Sequence, residues 1–165
     1  RAESRASPLS SGAAMGLLDT ALAALPRDGA VQFQEEVALG DVDVVAYAVR
    51  VAATGHDNVE VVVAAKSLQP LRLHWATAER VGGGWHPAPE GWTTQPPRSF
   101  DGGGGAWVTD FDKAADGSQL VEIKLRAKRG AFAFVLRTHH DRFIKRDGRD
   151  MYVPVLPLGP AAAPI

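Results

Sequence analysis

The chain has 165 residues, 45% of them hydrophobic and 22% charged, ordinary proportions for one globular domain. It has no cysteine, which excludes a disulfide framework, thiolate chemistry and Cys-ligated zinc. A formal charge of −1 gives no general attraction to nucleic acid or an anionic membrane, and no apolar run approaches the ~20 residues of a helical membrane span.

Residues 1–28 differ from the rest. Arg1 to Gly16, RAESRASPLSSGAAMG, is rich in Ala, Ser, Arg and Gly with a single acidic residue, the composition of an organelle transit peptide or its remnant. Met15 to Leu25 has helix formers with apolar residues at helical spacing, ended by Pro26. It is expected to form a short amphipathic helix packed on the body.

From Val31 onward the hydrophobic period becomes two. Strands are expected over Val31–Glu35, Val42–Ala53, Val59–Ala65, Leu71–Thr77, Ala106–Phe111, Leu120–Ala127 and Ala131–Arg137. Arg142–Lys145 and Met151–Val155 are expected to form a last hairpin around the turn Arg146-Asp147-Gly148-Arg149. The Pro-rich tail, residues 158–165, is expected to fray. Eight or nine short strands, one helix at most and no βαβ rhythm predict an all-β fold over 29–157. The expected form is an antiparallel β-sandwich of immunoglobulin-like type with a short N-terminal helix.

The chemistry-bearing stretch is Leu71 to Phe111, which holds all four tryptophans, Trp75, Trp85, Trp92 and Trp107. Trp85 and Trp92 bracket His86-Pro87-Ala88-Pro89-Glu90-Gly91, where two prolines forbid a helix and interrupt a ladder. Aromatic rings on a stiff loop suit a ligand with a flat apolar face, and a sugar ring is such a ligand. Trp75 lies in phase with Leu71 and Leu73, so it reads equally as a core ring and as a platform. Trp107, in the strand-like AWVTDF, reads as core. Lys145 and Asp150 flank the final turn, placed either to bond sugar hydroxyls or simply to be solvated. Tyr152 reads equally as a platform and as a sandwich edge.

Other chemistries find little support. His74, His86 and the His139-His140 pair lack zinc-ligand spacing, and no metal or other cofactor is expected. Gly102–Gly105 has no GK[ST] ending and is no phosphate loop. No nucleophile elbow is recognisable, and a pair of carboxylates at glycosidase separation is not expected in so small a sandwich. The segment 124–149 is locally basic with Phe132, Phe134 and Phe143 interleaved. Its phenylalanines alternate in phase with the core, so its charges read as a solvated face that could meet a negatively charged protein partner, rather than as a nucleic-acid surface.

Leu73-His74-Trp75, followed ten residues on by Trp85 and a Pro-containing loop, resembles the LHWG…W…PP pattern of plastidial starch-binding modules, carbohydrate-binding module family 45. Phe134-Val135-Leu136, with Phe143-Ile144-Lys145-Arg146-Asp147-Gly148-Arg149-Asp150-Met151-Tyr152-Val153-Pro154, is similar to that family's FVLK…WIK–N–G–DFY–P ending. The resemblance covers roughly Gln32 to Pro157, with Ala76 where the family usually has Gly and Phe143 where it usually has Trp. It implies a non-catalytic, low-affinity α-glucan-binding domain in the chloroplast stroma. Such a domain is a fragment of, or an accessory to, a starch-metabolising enzyme such as an α-glucan, water dikinase. The carbohydrate-binding residues it implies, joined to those read above, are His74, Trp75, Trp85, Trp92, Phe143, Lys145 and Asp150. The alternative is a structural or protein-interaction subunit of a larger organellar assembly that keeps the fold and has lost sugar binding. In neither reading is the partner a nucleic acid or a membrane.

Overall fold

Period-two alternation turns out to organise two antiparallel sheets, packed face to face, in the computed structural model of the chain. The structure describes residues 16–24, 30–39, 45–53, 58–87, 99–103, 105–114, 116–126 and 130–155. The transit-like residues 1–15, the tail and Trp92 lie outside them.

Among the described residues one helix, α1 (Leu17–Ala23), precedes eleven strands. These are β1 (Ala30–Leu39), β2 (Val45–Ala53), β3 (Asn58–Lys66), β4 (Leu71–Ala78), β5 (Ser99–Gly103) and β6 (Ala106–Asp110). They continue with β7 (Asp112–Lys113), β8 (Gln119–Arg126), β9 (Ala131–Thr138), β10 (Phe143–Ile144) and β11 (Met151–Pro154). The first sheet has the order β1-β2-β3-β8-β7 and the second β10-β9-β4-β6-β5, with β11 also on β9. Every expected strand has an observed counterpart. Two elements without alternation, β5 in a Gly-rich run and the two-residue β7, were not expected.

The chain passes between sheets at corners. β3 leaves the first sheet through Ser67–Pro70 and becomes β4 in the second, while β8 becomes β9 by a second crossing. The two corners then pair with each other, β3 with β8 and β4 with β9. Gln119 ties the crossing down: its Oε1 accepts the Leu71 N–H at 2.9 Å and its Nε2 donates to the Gln69 carbonyl at 3.0 Å.

The expected hairpin of β10 and β11 does not form. Both strands pair with β9, Phe143 and Ile144 opposite Arg137 and Leu136, then Met151 to Pro154 opposite Phe134 to Ala131. They are one edge strand interrupted by an excursion over 145–150. The turn itself is present. Arg146 and Arg149 exchange backbone hydrogen bonds of 3.1 and 2.9 Å around Asp147 and Gly148 at φ 52° and 75°. Such a turn closes a hairpin only if its flanks have no better partner. Here β9 offers both flanks a longer ladder.

The core lies between the sheets. Leu71, Leu73 and Trp75 from β4 meet Phe132, Phe134 and Leu136 from β9, with Val61, Val63, Ile123 and Leu125 across from them. A smaller cluster forms where α1 sets Leu17 and Ala21 on Val62 and Ala64 of β3. The helix is held by polar contacts too: the Leu18 N–H donates to Glu36 at 3.1 Å and the Thr20 hydroxyl to Asp116 at 3.0 Å. The Asp116 carboxyl is held below the usual carboxylate range, first by the Ser118 hydroxyl, then by the Ser118 N–H and Thr20.

Candidate functional site

Because strand residues alternate faces, the residues between the core positions of β4 point away from the core. His74 is the central one. Its partners across the sheet are Val108 on β6 and Val135 on β9, both buried and uncharged. Its ring is met by two others: Trp85 at 5.7 Å between centroids with planes tilted by 39°, and Phe143 at 5.5 Å, edge-on at 88°. Phe143 remains 47% exposed, so its ring is open to a ligand.

Trp85 reaches this face because the segment after β4 is fastened at several points. Thr77 and His86 form an antiparallel bridge with backbone hydrogen bonds of 3.2 and 2.9 Å. The Thr77 hydroxyl adds a bond to the His86 carbonyl at 3.1 Å, and Tyr152 donates its phenol proton to the Gly83 carbonyl at 2.6 Å. Tyr152 is thus an anchor for the tryptophan segment. Pro87 lies so close to Gly105 that a Cβ there would stand 2.4 Å from the proline Cγ, at a φ of +84° that side chains rarely adopt. Gly105→Ala is expected to lower stability by about 1–3 kcal/mol, read as a lower denaturant midpoint; an unchanged midpoint would show that Pro87 gives way freely.

The excursion over 145–150 brings the polar groups. Lys145 Nζ and Asp150 Oδ1 are 3.5 Å apart, and both side chains are partly exposed. Their pairing is a consequence of the interrupted edge strand, whose two flanks return to the same ladder. Together His74, Trp85, Val135, Phe143, Lys145 and Asp150 line an open depression of about 230 Å³, near the lower end of small-ligand pockets, ~300 Å³.

Arg137, on β9 opposite Phe143, binds this cluster together. It donates from Nε and Nη2 to Asp141 Oδ1 at 3.2 and 2.9 Å, and its Nη1 lies 3.5 Å from His74 Nδ1. Its Cζ sits 5.5 Å from the Phe143 centroid, within cation–π reach. Burial, then the Arg137 charge, push the His74 pKa below its ordinary 6.5, while Asp150 opposes the shift. The unfolded chain therefore takes up this proton first as pH falls through 6.5, so His74 lowers stability on acidification below that value.

Four of the seven expected binding residues thus meet His74 in one place: Trp85, Phe143, Lys145 and Asp150. Trp75 does not. It is fully buried, stacked 5.2 Å from Phe132 and 6.4 Å from Trp107, and its Nε1 donates to Thr109 Oγ1 at 2.9 Å. No face of it is open to a ligand, so its platform reading is corrected: phase with Leu71 and Leu73 decided its side. Trp107 is half-buried against the same core. Trp92 lies outside the described residues. Arg137 and Val135 were not singled out by sequence reasoning. The FVL motif and its opposition to LHW were the available signal, had the strands been paired.

The basic segment is less cationic in space than in sequence. Arg137 pairs with Asp141, Lys145 with Asp150, and Arg146 with Glu35 at 2.9 Å. His139 and His140 are exposed in a turn. Among the described residues no three metal-ligating side chains cluster, and no helix is long and apolar enough to cross a membrane.

Comparison with curated proteins and with solved structures found no match. A family model described as the alpha-glucan water dikinase 1 Ig-like N-terminal domain matches residues 37–155, well over half of the chain. The match runs from β1 through β11 and so takes in both sheets and all six residues lining the depression. The fold is an immunoglobulin-like β-sandwich, and the chain belongs to the family of alpha-glucan water dikinase Ig-like N-terminal domains.

Proposed function

We propose that this domain is a non-catalytic, low-affinity α-glucan-binding module that brings the enzyme carrying it, or acting beside it, to starch in the plastid stroma. The observation that carries the reading is the convergence of Trp85, His74 and Phe143 with the Lys145–Asp150 pair around one open depression. Rings cover the apolar face of a glucose unit, while the ammonium donates to sugar hydroxyls and the carboxylate accepts from them. The name of the matching family, that of an α-glucan water dikinase, points to the same ligand. The two tryptophans also differ in a telling way. Core Trp75 has its N–H satisfied by Thr109, whereas Trp85 Nε1 has no acceptor among the described residues, an arrangement that costs stability and is retained more readily at a working surface.

Each stacked ring contributes about 1 kcal/mol, so a few rings and hydrogen bonds, less the cost of ordering, give a dissociation constant in the ~mM to tens of µM range. Tandem modules on a repetitive ligand would add avidity. Trp92, seven residues beyond Trp85 in the sequence, is proposed as a second platform.

The test is tryptophan fluorescence during titration with maltoheptaose or β-cyclodextrin, alongside a starch-granule pull-down. Wild-type protein is expected to show saturable quenching and granule retention. Trp85→Ala is expected to weaken binding about tenfold or more, the equivalent of ~1.4 kcal/mol, with the fold intact. A folded wild-type protein that gives no response up to ~10 mM ligand, corresponding to less than about 3 kcal/mol, would leave the domain as a structural or protein-interaction unit.

A further inference from the structure

We propose that Arg137 is a positioning residue of the glucan site: it fixes His74 as the neutral Nε2–H tautomer and holds the exposed Phe143 ring beside it. The inference rests on the glucan-binding reading above and adds the group that sets the site's donor pattern.

The argument starts from hydrogen-bond inventory. A guanidinium has five N–H donors, no acceptor, and stays protonated at any ordinary pH. Its Nη1 faces His74 Nδ1 at 3.5 Å, at the long end of hydrogen-bond range, and a bond there requires a lone pair on Nδ1. A neutral imidazole with a lone pair on Nδ1 carries its proton on Nε2. His74 then gives a ligand one defined donor beside the Lys145 ammonium and the Asp150 carboxylate. Vicinal hydroxyls of a glucose unit, each able to donate and accept, fit such a mixed set.

The same guanidinium organises the ring next to His74. Its Cζ lies 5.5 Å from the Phe143 centroid, and Phe143 stands edge-on to His74. Arg137 is itself fixed by two hydrogen bonds to Asp141, whose φ of 65° belongs to the turn after β9. Only a planar fork serves Asp141, His74 and Phe143 at once; a lysine ammonium is a single point charge.

Protonation of His74 undoes the arrangement. An Nδ1–H would face the guanidinium as donor against donor and cation against cation. The other charges around the ring are Asp150, before β11, which favours the imidazolium, and its partner Lys145, after β10. β6 sets Val108 opposite His74, and Asp110 two residues on is ion-paired with Arg72 of β4 at 3.2 Å; the tryptophan segment contributes uncharged Trp85. Glucan binding is therefore expected to be flat at alkaline and neutral pH and to fall as His74 takes up its proton.

The experiment pairs ¹⁵N NMR of the His74 ring with maltoheptaose titrations between about pH 5 and 8, the range of histidine switches. The proteins are wild type, Arg137→Gln and Arg137→Lys. Wild type is expected to show an Nε2–H tautomer and a binding midpoint that tracks the His74 titration. Arg137→Gln is expected to mix the tautomers, raise both midpoints together and weaken binding several-fold at pH 8. Arg137→Lys, which keeps the charge, is expected to keep the low midpoint while losing affinity, and supplies a folded comparison should the glutamine variant unfold. A role in the turn with Asp141 alone would change thermal stability and leave tautomer, midpoint and affinity where they were; that result, in a wild type that binds maltoheptaose, overturns the proposal by itself. A wild type that binds no maltoheptaose overturns it together with the glucan reading, and the wild-type arm alone identifies that case. A wild-type His74 carrying its proton on Nδ1 also overturns it.

Discussion

Trp75→Ala is expected to lower the unfolding free energy by about 3–5 kcal/mol, a large share of the 5–15 kcal/mol typical of a domain. The ring is fully buried between the sheets and stacked on Phe132 and Trp107. Alanine removes those contacts and leaves a cavity that the two flanking ladders of β4, to β6 and β9, hold open. It also removes the bond to Thr109. Trp75→Phe keeps most of the ring and loses that bond, so its cost should be nearer 1–2 kcal/mol. Urea unfolding with an unchanged m-value measures both. A loss below about 1 kcal/mol for the alanine variant would mean that the core recloses, contrary to the packing described. Any loss of starch binding in Trp75→Ala would follow from the fold, which separates it from Trp85→Ala.

Gly130→Ala is the second large effect, expected at about 2–4 kcal/mol from backbone strain and overpacking together. Gly130 immediately precedes β9 at a φ of +106°, and a Cβ there would stand 2.7 Å from the Ala78 carbonyl oxygen, a backbone atom at the end of β4. It cannot step aside without breaking the pairing of Ala78 with Ala131. The Gly130 carbonyl meanwhile accepts the Val155 N–H at 2.9 Å, so a shift would loosen the end of β11 as well. Gly117→Ala is the control. It has a similar positive φ of +89° with nothing within 4 Å of its Cβ, and should cost only about 1 kcal/mol of strain. The difference between the two melting temperatures isolates the clash. Equal shifts would show that strain alone matters.

The strands that the sequence announces are those with a regular period of two. LVEIKLR alternates buried and exposed residues, AFAFVLR alternates small and large side chains over its first four residues although nearly all of it is buried, and LRLHWAT alternates over its first half. Each is a strand within a residue or so of its expected ends. β5, SFDGG, has no alternation because glycines carry no side chain to place on a face. Pairing was less legible than existence. The RDGR turn is a sound hairpin signal, yet its flanks prefer β9, and no local feature reveals that competition. The site divides in the same way. Trp85, Phe143, Lys145 and Asp150 come to one depression, while Trp75, from the same motif as Trp85, is core. The motif records which residues recur together; alternation records which face each one takes. Arg137 was legible only as one charge in a basic run. A solvated arginine and one clamped between a carboxylate, an imidazole and a phenyl ring look alike until β4 and β9 are paired.

The two interlocked corners have a kinetic consequence. β3 finds β8, and β4 finds β9, only across some sixty residues of chain, as Val61 opposite Ile123 and Leu73 opposite Leu136 show. Neither ladder can nucleate from a tight turn, and the entropy of closing that long loop precedes any gain from the core. Refolding should accordingly fall in the millisecond-to-second range of high-contact-order β domains. Because both ladders close around the same loop, substitutions at Val61 and at Leu73 should slow it to similar degrees, as parts of one nucleus.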